Sequence, residues 1–156
     1  MTTLTTDALA SLDVDLLVLP VRGDGPSAWA DTFGATYSTA LEDAKTTSKP
    51  SVVIRDGEGP RRLAVVAADT PDGDEGWRWA AAAAAKLATS LKAERVAIAT
   101  PEPDATGALV EGFGLGAYRY DTYRTGEASP TIELTVRVED ASNSSRQLVA
   151  EADIRA

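Results

Sequence analysis

Short runs of Val, Ile and Leu recur along the chain and predict the strands of one sheet. Such runs occupy residues 16–19, 51–55, 62–67 and 95–99. A continuous apolar run of this length is typical of a strand buried on both faces, and residues 16–19 are predicted to be a central strand. The second and third runs are separated by Asp-Gly-Glu-Gly-Pro at 56–60, which is turn chemistry that predicts an antiparallel hairpin.

Residues 131–138 show a different strand pattern, a strict alternation of polar and apolar side chains. Ile132, Leu134, Val136 and Val138 alternate with Thr, Glu, Thr and Arg. A strand with this alternation has one apolar face and one wet face, so it is predicted to lie near the edge of the sheet.

A long helix is predicted between the third and fourth runs. Asp74 and Glu75 lie in its first turn, where acidic side chains suit the helix dipole, and Lys86 and Lys92 lie towards its end. Trp79 lies about 200° from Trp77 around the axis, so it is predicted to face a partner surface. The apolar stripe of this helix consists of Trp77, Ala80, Ala81, Ala84, Leu87, Ala88 and Leu91.

Two further helices are predicted from weaker signals. Residues 31–45 have Phe33, Tyr37 and Leu41 on one helical face. Near the end of the sequence, the serine-rich stretch 142–145 can cap a helix over residues 146–154.

Thr106 is predicted to cap one more helix, whose apolar residues recur at three- and four-residue spacing. Gly112, Gly114 and Gly116 lie within it, each at a cost of about 1 kcal/mol relative to alanine. Close packing of this helix onto a neighbouring backbone would offset that cost, and we therefore predict it. The residues that follow, 118–124, alternate rings with charges and are predicted to be extended.

The order of the predicted elements defines the fold class. Strand, helix, hairpin, helix, strand, helix, strand and helix indicate an α/β protein with three α/β/α layers and a mixed, mainly parallel sheet. Residues 62–67 and 95–99 are predicted to be parallel strands joined by a right-handed crossover through the long helix.

Composition excludes several kinds of chemistry. The 156 residues include no cysteine and no histidine, so disulfides, thiolate metal sites and imidazole catalysis are excluded within this chain. A net charge of −9 argues against a nucleic-acid partner, because non-specific affinity for phosphates comes from Lys and Arg. The first residues lack the pattern of a signal peptide, and no apolar run is long enough to span a membrane. We therefore expect a cytoplasmic protein with no membrane partner.

Residues 111–124, EGFGLGAYRYDTYR, resemble the signature that closes the N-terminal domain of the leucyl aminopeptidases, also called the cytosol aminopeptidase family. Gly114 departs from that signature, where a bulkier apolar residue is expected. Weaker resemblance at 15–21 and in the helix from Trp77 extends the similarity over most of 12–124. The residues that carry the signature, with a structural role, are Glu111, Gly112, Gly116, Tyr118, Arg119, Tyr120, Asp121 and Tyr123.

The resemblance implies a macro-domain-like fold over residues 1–140 and the start of an interdomain linker helix at 141–156. Members of this family release N-terminal residues from peptides with two divalent metals, zinc, manganese or magnesium, held in a C-terminal domain. The family's catalytic motif, Asn-Thr-Asp-Ala-Glu-Gly-Arg, does not occur in this sequence. The resemblance thus implies a chain with no catalytic, cofactor-binding or metal-binding residue of its own. It implies a domain that supports the hexamer and substrate access in the full-length enzyme, has the catalytic domain as its partner and is monomeric in isolation.

Other functions remain open at this point. The glycines at 112, 114 and 116 are a weak phosphate-loop signal, because they lie within a helix where N–H groups are already bonded. Tyr118, Tyr120 and Tyr123, with nearby arginines, could stack a nucleotide, although a packing role is favoured. The main alternative is a free-standing macro-like module that binds ADP-ribose or a related nucleotide. A scaffolding fragment that binds intact aminopeptidase subunits is a further alternative.

Overall fold

The computed structural model describes residues 2–55, 57–69, 72–123 and 132–138, with the backbone alone at 118–123. The strands are β1 Thr2–Thr5, β2 Leu16–Val21, β3 Ser51–Ile54, β4 Arg62–Ala67, β5 Arg95–Ala99 and β6 Glu133–Arg137. The helices are α1 Ser27–Phe33, α2 Ala35–Thr47, α3 Asp74–Ser90 and α4 Thr106–Tyr123, and short 3₁₀ turns lie at Leu9–Ser11 and Pro103–Ala105.

The six strands of the described residues form one sheet in the order β1-β6-β5-β2-β4-β3, and among these strands only the β3–β4 pair is antiparallel. The prediction of a mixed, mainly parallel sheet is therefore confirmed. β2 lies between β5 and β4, and all six of its residues are buried, as its continuous apolar run predicts. The hairpin is also confirmed, with Ser51 opposite Val65 and Ile54 opposite Arg62.

The central strands send alternate side chains into two separate cores, because successive residues of a strand face opposite ways. One core lies under α3 and α4 and includes the strand residues Leu16, Val18, Ala64, Val66, Val96, Ile98, Leu134 and Val136. The other lies under α1 and α2 and includes Leu17, Leu19, Val21, Leu63, Val65, Ala97 and Ala99. The sheet is thus the middle of three layers, as predicted.

The prediction of one continuous helix at 31–45 is wrong. The structure has two helices there, α1 and α2, separated by Gly34 at φ 57°, ψ −133°. This backbone conformation is open to glycine and interrupts the helical hydrogen bonds. The end of α3 was also misplaced, since the helix stops at Ser90 and Lys92 lies beyond it at φ 57°.

The prediction that the alternating strand lies near the edge of the sheet is confirmed, because this strand is one strand in from the edge. β6 lies between β5 and β1, and β1 forms the edge, with Thr2 beside Leu134. The predicted wet face is present, because Glu133 is exposed whereas Leu134 and Val136 are buried. β1 itself was not predicted, because its threonines gave no apolar run.

The signature helix also differs from its prediction in two ways. Thr106 has helical dihedral angles, φ −54° and ψ −51°, and is the first residue of α4 instead of its cap. The backbone of residues 118–123 continues α4, so the predicted extended segment is wrong over those residues. The predicted helix at 146–154 lies outside the described residues. Among those described, no helix is long and apolar enough to cross a membrane.

Candidate functional site

The glycines of the signature lie where α4 meets α3. A Cβ atom on Gly112 would be 2.6 Å from the Cα atom of Arg78, and one on Gly116 would be 2.7 Å from the Cα atom of Ala82. Real Cβ atoms do not approach a backbone so closely, so these two positions require glycine in this packing. The prediction of close packing onto a neighbouring backbone is confirmed for both.

Glu111, the first residue of the signature, joins a chain of polar contacts along the same seam. The Nε atom of Arg78 donates to Glu111 Oε1 at 3.2 Å, and Arg78 Nη1 lies 3.4 Å from Glu75 Oε2. Glu75 Oε1 in turn accepts a 2.8 Å hydrogen bond from Trp79 Nε1. Glu111, Gly112 and Gly116 thus hold α4 against α3.

The remaining signature residues, Tyr118, Arg119, Tyr120, Asp121 and Tyr123, lie in the last turns of α4. Their side chains are outside the described part of the structure. A structural role for them stays a prediction.

A second group of interactions lies at the carboxyl edge of the sheet, where the loops after β2 and β4 meet. The Arg22 guanidinium lies 4.1 Å from the centre of the Trp77 ring, a cation–π distance. It also donates to the carbonyl oxygens of Ala68, at 2.8 Å, and Gly73. Arg22 therefore connects the end of β4 to the start of α3.

Asp69, in the loop after β4, contacts both the loop after β2 and helix α2. Its Oδ1 accepts a hydrogen bond from the Gly23 amide at 2.9 Å, and its Oδ2 lies 2.6 Å from Lys45 Nζ. Partial burial would raise the pKa of Asp69, but the Lys45 ammonium and the Gly23 N–H outweigh it and hold the pKa below its ordinary value. Sequence patterns missed this cluster because 46 positions separate Gly23 from Asp69 and 24 separate Lys45 from Asp69.

A cleft of about 580 Å³ opens beside this cluster, between the β2–α1 loop and α2. Its lining residues include Asp24, Tyr37, Glu42 and Lys45. The Tyr37 hydroxyl donates to the Asp24 carbonyl oxygen at 2.6 Å, and burial raises the pKa of Tyr37 above its ordinary value. Tyr37 is therefore a neutral hydrogen-bond donor that holds the β2–α1 loop in place.

The crevice between β2 and β5 is where an open α/β sheet usually binds ligands, because the connections that leave these two strands enter opposite layers. Pro101 and Pro103, in the connection after β5, have no N–H to offer a phosphate. The exposed carboxylates of Glu102 and Asp104 in the same connection would repel one. The residue types of this connection therefore argue against a diphosphate at this position.

The described residues offer little else for chemistry. They contain no group of three or more Asp, Glu, His or Cys side chains that could hold a metal ion. Among the described residues, the side-chain hydroxyl of Thr106 is buried and has no hydrogen-bond partner. The acidic side chains near 72–75 and 102–104 form no such group where they are described.

Solved structures with the same arrangement define the class of fold. A mutant of tomato leucine aminopeptidase matches with a TM-score of 0.72 at 17% identity, over 97% of this chain and 35% of that chain. The macrodomain of DarG from Mycobacterium tuberculosis matches with a TM-score of 0.61 at 17% identity, over 88% of this chain and 97% of that one. The protein is thus an α/β domain of the macrodomain-like class.

Sequence comparison identifies the family within this class of fold. A model of the cytosol aminopeptidase family, N-terminal domain, matches residues 28–127. A probable cytosol aminopeptidase from Leifsonia xyli is 34% identical over 137 residues, which are 81% of this chain and 27% of that protein. The chain belongs to the cytosol aminopeptidase family, in which it corresponds to the N-terminal domain. It spans about a quarter of the length of this relative.

Proposed function

We propose that the chain serves as the non-catalytic N-terminal domain of a leucyl aminopeptidase, an exopeptidase that releases N-terminal amino acids from peptides. The observation that carries this proposal is the family match over residues 28–127, together with the 27% share of the Leifsonia xyli protein that the chain spans. On this proposal residues 1–140 are the domain and residues 141–156 begin the linker helix.

Catalysis belongs, on the same proposal, to two divalent metals in a C-terminal domain, where they activate water and polarise the scissile carbonyl. The sequence lacks histidine and cysteine, and its described residues bring together no metal-ligating cluster. The specific metals, zinc, manganese or magnesium, are those that the family resemblance implies.

The role of this domain would be to support the assembled enzyme and to shape the approach of peptides to the catalytic part. The two cores and the glycine contacts between α3 and α4 support such a structural role, because they pack the helices closely against each other and against the sheet. We place the protein in the cytoplasm, in a hexamer when joined to the catalytic part and as a monomer otherwise. Light scattering on the isolated chain tests whether it is a monomer, and a stable hexamer would contradict this part of the proposal.

Activity measurements test the proposal directly. The pure chain, supplied with Zn²⁺, Mn²⁺ or Mg²⁺, should not hydrolyse leucine p-nitroanilide. A chimera in which the chain replaces the matching part of the Leifsonia xyli protein should hydrolyse it in a metal-dependent way. Metal-dependent hydrolysis by the chain alone, in samples purified by two independent routes, would refute a non-catalytic role.

Nucleotide binding is the second candidate, because a macrodomain of similar fold, from Trypanosoma brucei, was solved in complex with ADP. The prolines and carboxylates at 101–104 weigh against it, because they offer a diphosphate few donors and the wrong charge. Calorimetric titration with ADP-ribose distinguishes the two functions. We expect no saturable heat, and a stoichiometric binding isotherm would establish the nucleotide function instead.

A further inference from the structure

The outward side of the α3–α4 layer carries large apolar side chains. Trp79 on α3 is 62% exposed and Leu115 on α4 is 36% exposed. From Thr106 to Ala117, α4 has one ionisable side chain, Glu111, which is paired with Arg78. A helix at a protein surface normally presents a charged face opposite its buried stripe. This part of α4 lacks that face, as expected for a helix that another structure covers.

α3 and α4 run side by side in the same direction. Gly112 lies against Arg78, and Gly116, four residues further along, lies against Ala82, four residues further along α3. Each helix therefore has one flank that faces the other helix and a second flank that faces the sheet.

Helical geometry puts Trp79 and Leu115 on the same outward surface. Trp77 faces the core and Arg78 faces α4, so Trp79, a further 100° or so around α3, points away from both. On α4, Phe113 faces the core, and Leu115 lies about 160° around the axis from it. Because Gly116 is level with Ala82, Leu115 and Trp79 differ by about two residues, roughly 3 Å, along the helix axes.

The Trp79 ring is held in position before any partner arrives. Its Nε1 donates to Glu75 Oε1 at 2.8 Å, and Glu75 also contacts Arg78. The polar edge of the indole is thus satisfied while the ring remains exposed. A fixed aromatic side chain beside small residues such as Ala82 is typical of the central anchor of a protein interface.

We propose that Trp79, Ala82 and Leu115 form an outward patch on which the catalytic part of a cytosol aminopeptidase docks. The inference rests on the proposed function. The chain spans 27% of the Leifsonia xyli protein and 35% of the tomato chain, so most of each of those proteins lies outside the matched part, and on the proposed function that larger part is the partner available to cover an apolar face of this domain. A second copy of the chain fits less well, because two bodies of net charge −9 repel each other.

Hydroxyl-radical footprinting, read residue by residue by mass spectrometry, tests the patch without any substitution in it. Oxidation is compared between the isolated chain and the chimera with the Leifsonia xyli protein. Oxidation of Trp79 and Leu115 should fall about fivefold or more in the chimera, as expected for side chains at the core of an interface. Ile54, which is 73% exposed on β3, is the internal control and should be oxidised equally in both.

Variants of the chimera give a second readout. Trp79→Glu and Leu115→Glu should separate the thermal unfolding of this domain from that of the catalytic part, whereas Ile54→Glu should leave one coincident transition. The isolated Trp79→Glu chain serves as a folding control, because an exposed position should tolerate the change.

The outcomes separate this inference from the proposed function. An active chimera in which Trp79 is as readily oxidised as in the isolated chain would overturn the inference and leave the proposed function standing. An inactive chimera whose two parts unfold independently would overturn both. Protection of Trp79 in the isolated chain, with a dimeric mass, would assign the patch to a second copy and also overturn the inference.

Discussion

A Cβ atom on Gly112 would lie 2.6 Å from the Cα atom of Arg78, so α4 contacts α3 backbone to backbone. Helix propensity alone favours alanine at this position by about 1 kcal/mol. The close approach reverses that preference, because the atoms that would obstruct the methyl group belong to the backbone of α3 and cannot rotate away.

The Gly112→Ala variant should therefore be destabilised. We expect a loss of about 1–3 kcal/mol in the free energy of unfolding, the usual cost of forcing an extra methyl group into a packed interior. Urea denaturation measures it. Gly114→Ala is the matched control, because Gly114 lies about 200° around the axis from Gly112 and so faces away from α3. That control should be neutral or up to about 1 kcal/mol more stable, and equal losses in both variants would contradict the packing argument.

Asp15 should make a pH-dependent contribution to stability. Its Oδ2 accepts hydrogen bonds from the amides of Arg95, at 3.0 Å, and Glu94, at 2.9 Å. The Arg95 N–H, the largest cause, and the Glu94 N–H hold the pKa of Asp15 below its ordinary value although burial opposes them. A lowered pKa in the folded state means that the stabilisation is complete above the unfolded pKa of about 3.9 and is lost as the pH falls through the folded pKa.

The Asp15→Ala variant should accordingly lose about 1.5–3 kcal/mol at neutral pH, the range for hydrogen bonds to a charged group. The difference from the parent protein should shrink as the pH falls below about 4, which denaturation curves between neutral and acidic pH would show. Asp13→Ala removes an ion pair whose carboxylate is 88% exposed, so it should change stability by less than about 1 kcal/mol. A pH-independent effect of Asp15→Ala would refute the assigned cause.

Lys45 should control the ionisation of Asp69. Burial raises the pKa of Asp69, and the Lys45 ammonium, 2.6 Å away, makes the largest contribution that lowers it. Removal of that charge in Lys45→Met should let the pKa of Asp69 rise, because the backbone N–H groups of Gly23 and Asp69 then oppose burial without the ammonium. Carbon-13 NMR titration of the Asp69 carboxyl measures this directly. Lys49→Met, a change to a lysine that is also exposed, should leave the titration unmoved.

The sequence predicted those features of the fold that leave a local pattern of residue types, and it missed those that do not. β2, β4 and the Gly112 contact were predictable because a buried strand or a close helix contact leaves a local pattern of residue types. β1 was missed since its pairing with β6 joins Thr2 to Leu134, a partner that no local pattern of threonines indicates. The break at Gly34 was missed because helical spacing of apolar residues continues on both sides of it.

The carboxyl-edge cluster was unpredictable for a related reason. Arg22, Lys45 and Asp69 come from three elements, and each is an ordinary surface charge in the sequence. Only the parallel order of β2 and β4 brings the loops after them together. The glycines and proline at 23–27 predict a loop there, but they do not indicate the partners of that loop.

Tyr37 should stabilise the β2–α1 loop through one hydrogen bond. Its hydroxyl, 2.6 Å from the Asp24 carbonyl oxygen, belongs to a side chain that is 2% exposed. Tyr37→Phe keeps the ring and its edge-to-face contact with Trp29, so the variant should lose only the hydrogen bond, about 1 kcal/mol. Faster amide exchange at Asp24 and Gly25 should accompany the loss. Ser38→Ala, which removes a long 3.4 Å contact at an exposed position, should alter neither stability nor exchange. If Tyr37→Phe is as stable as the parent and protects these amides equally, the loop is held by its glycines and not by the tyrosine.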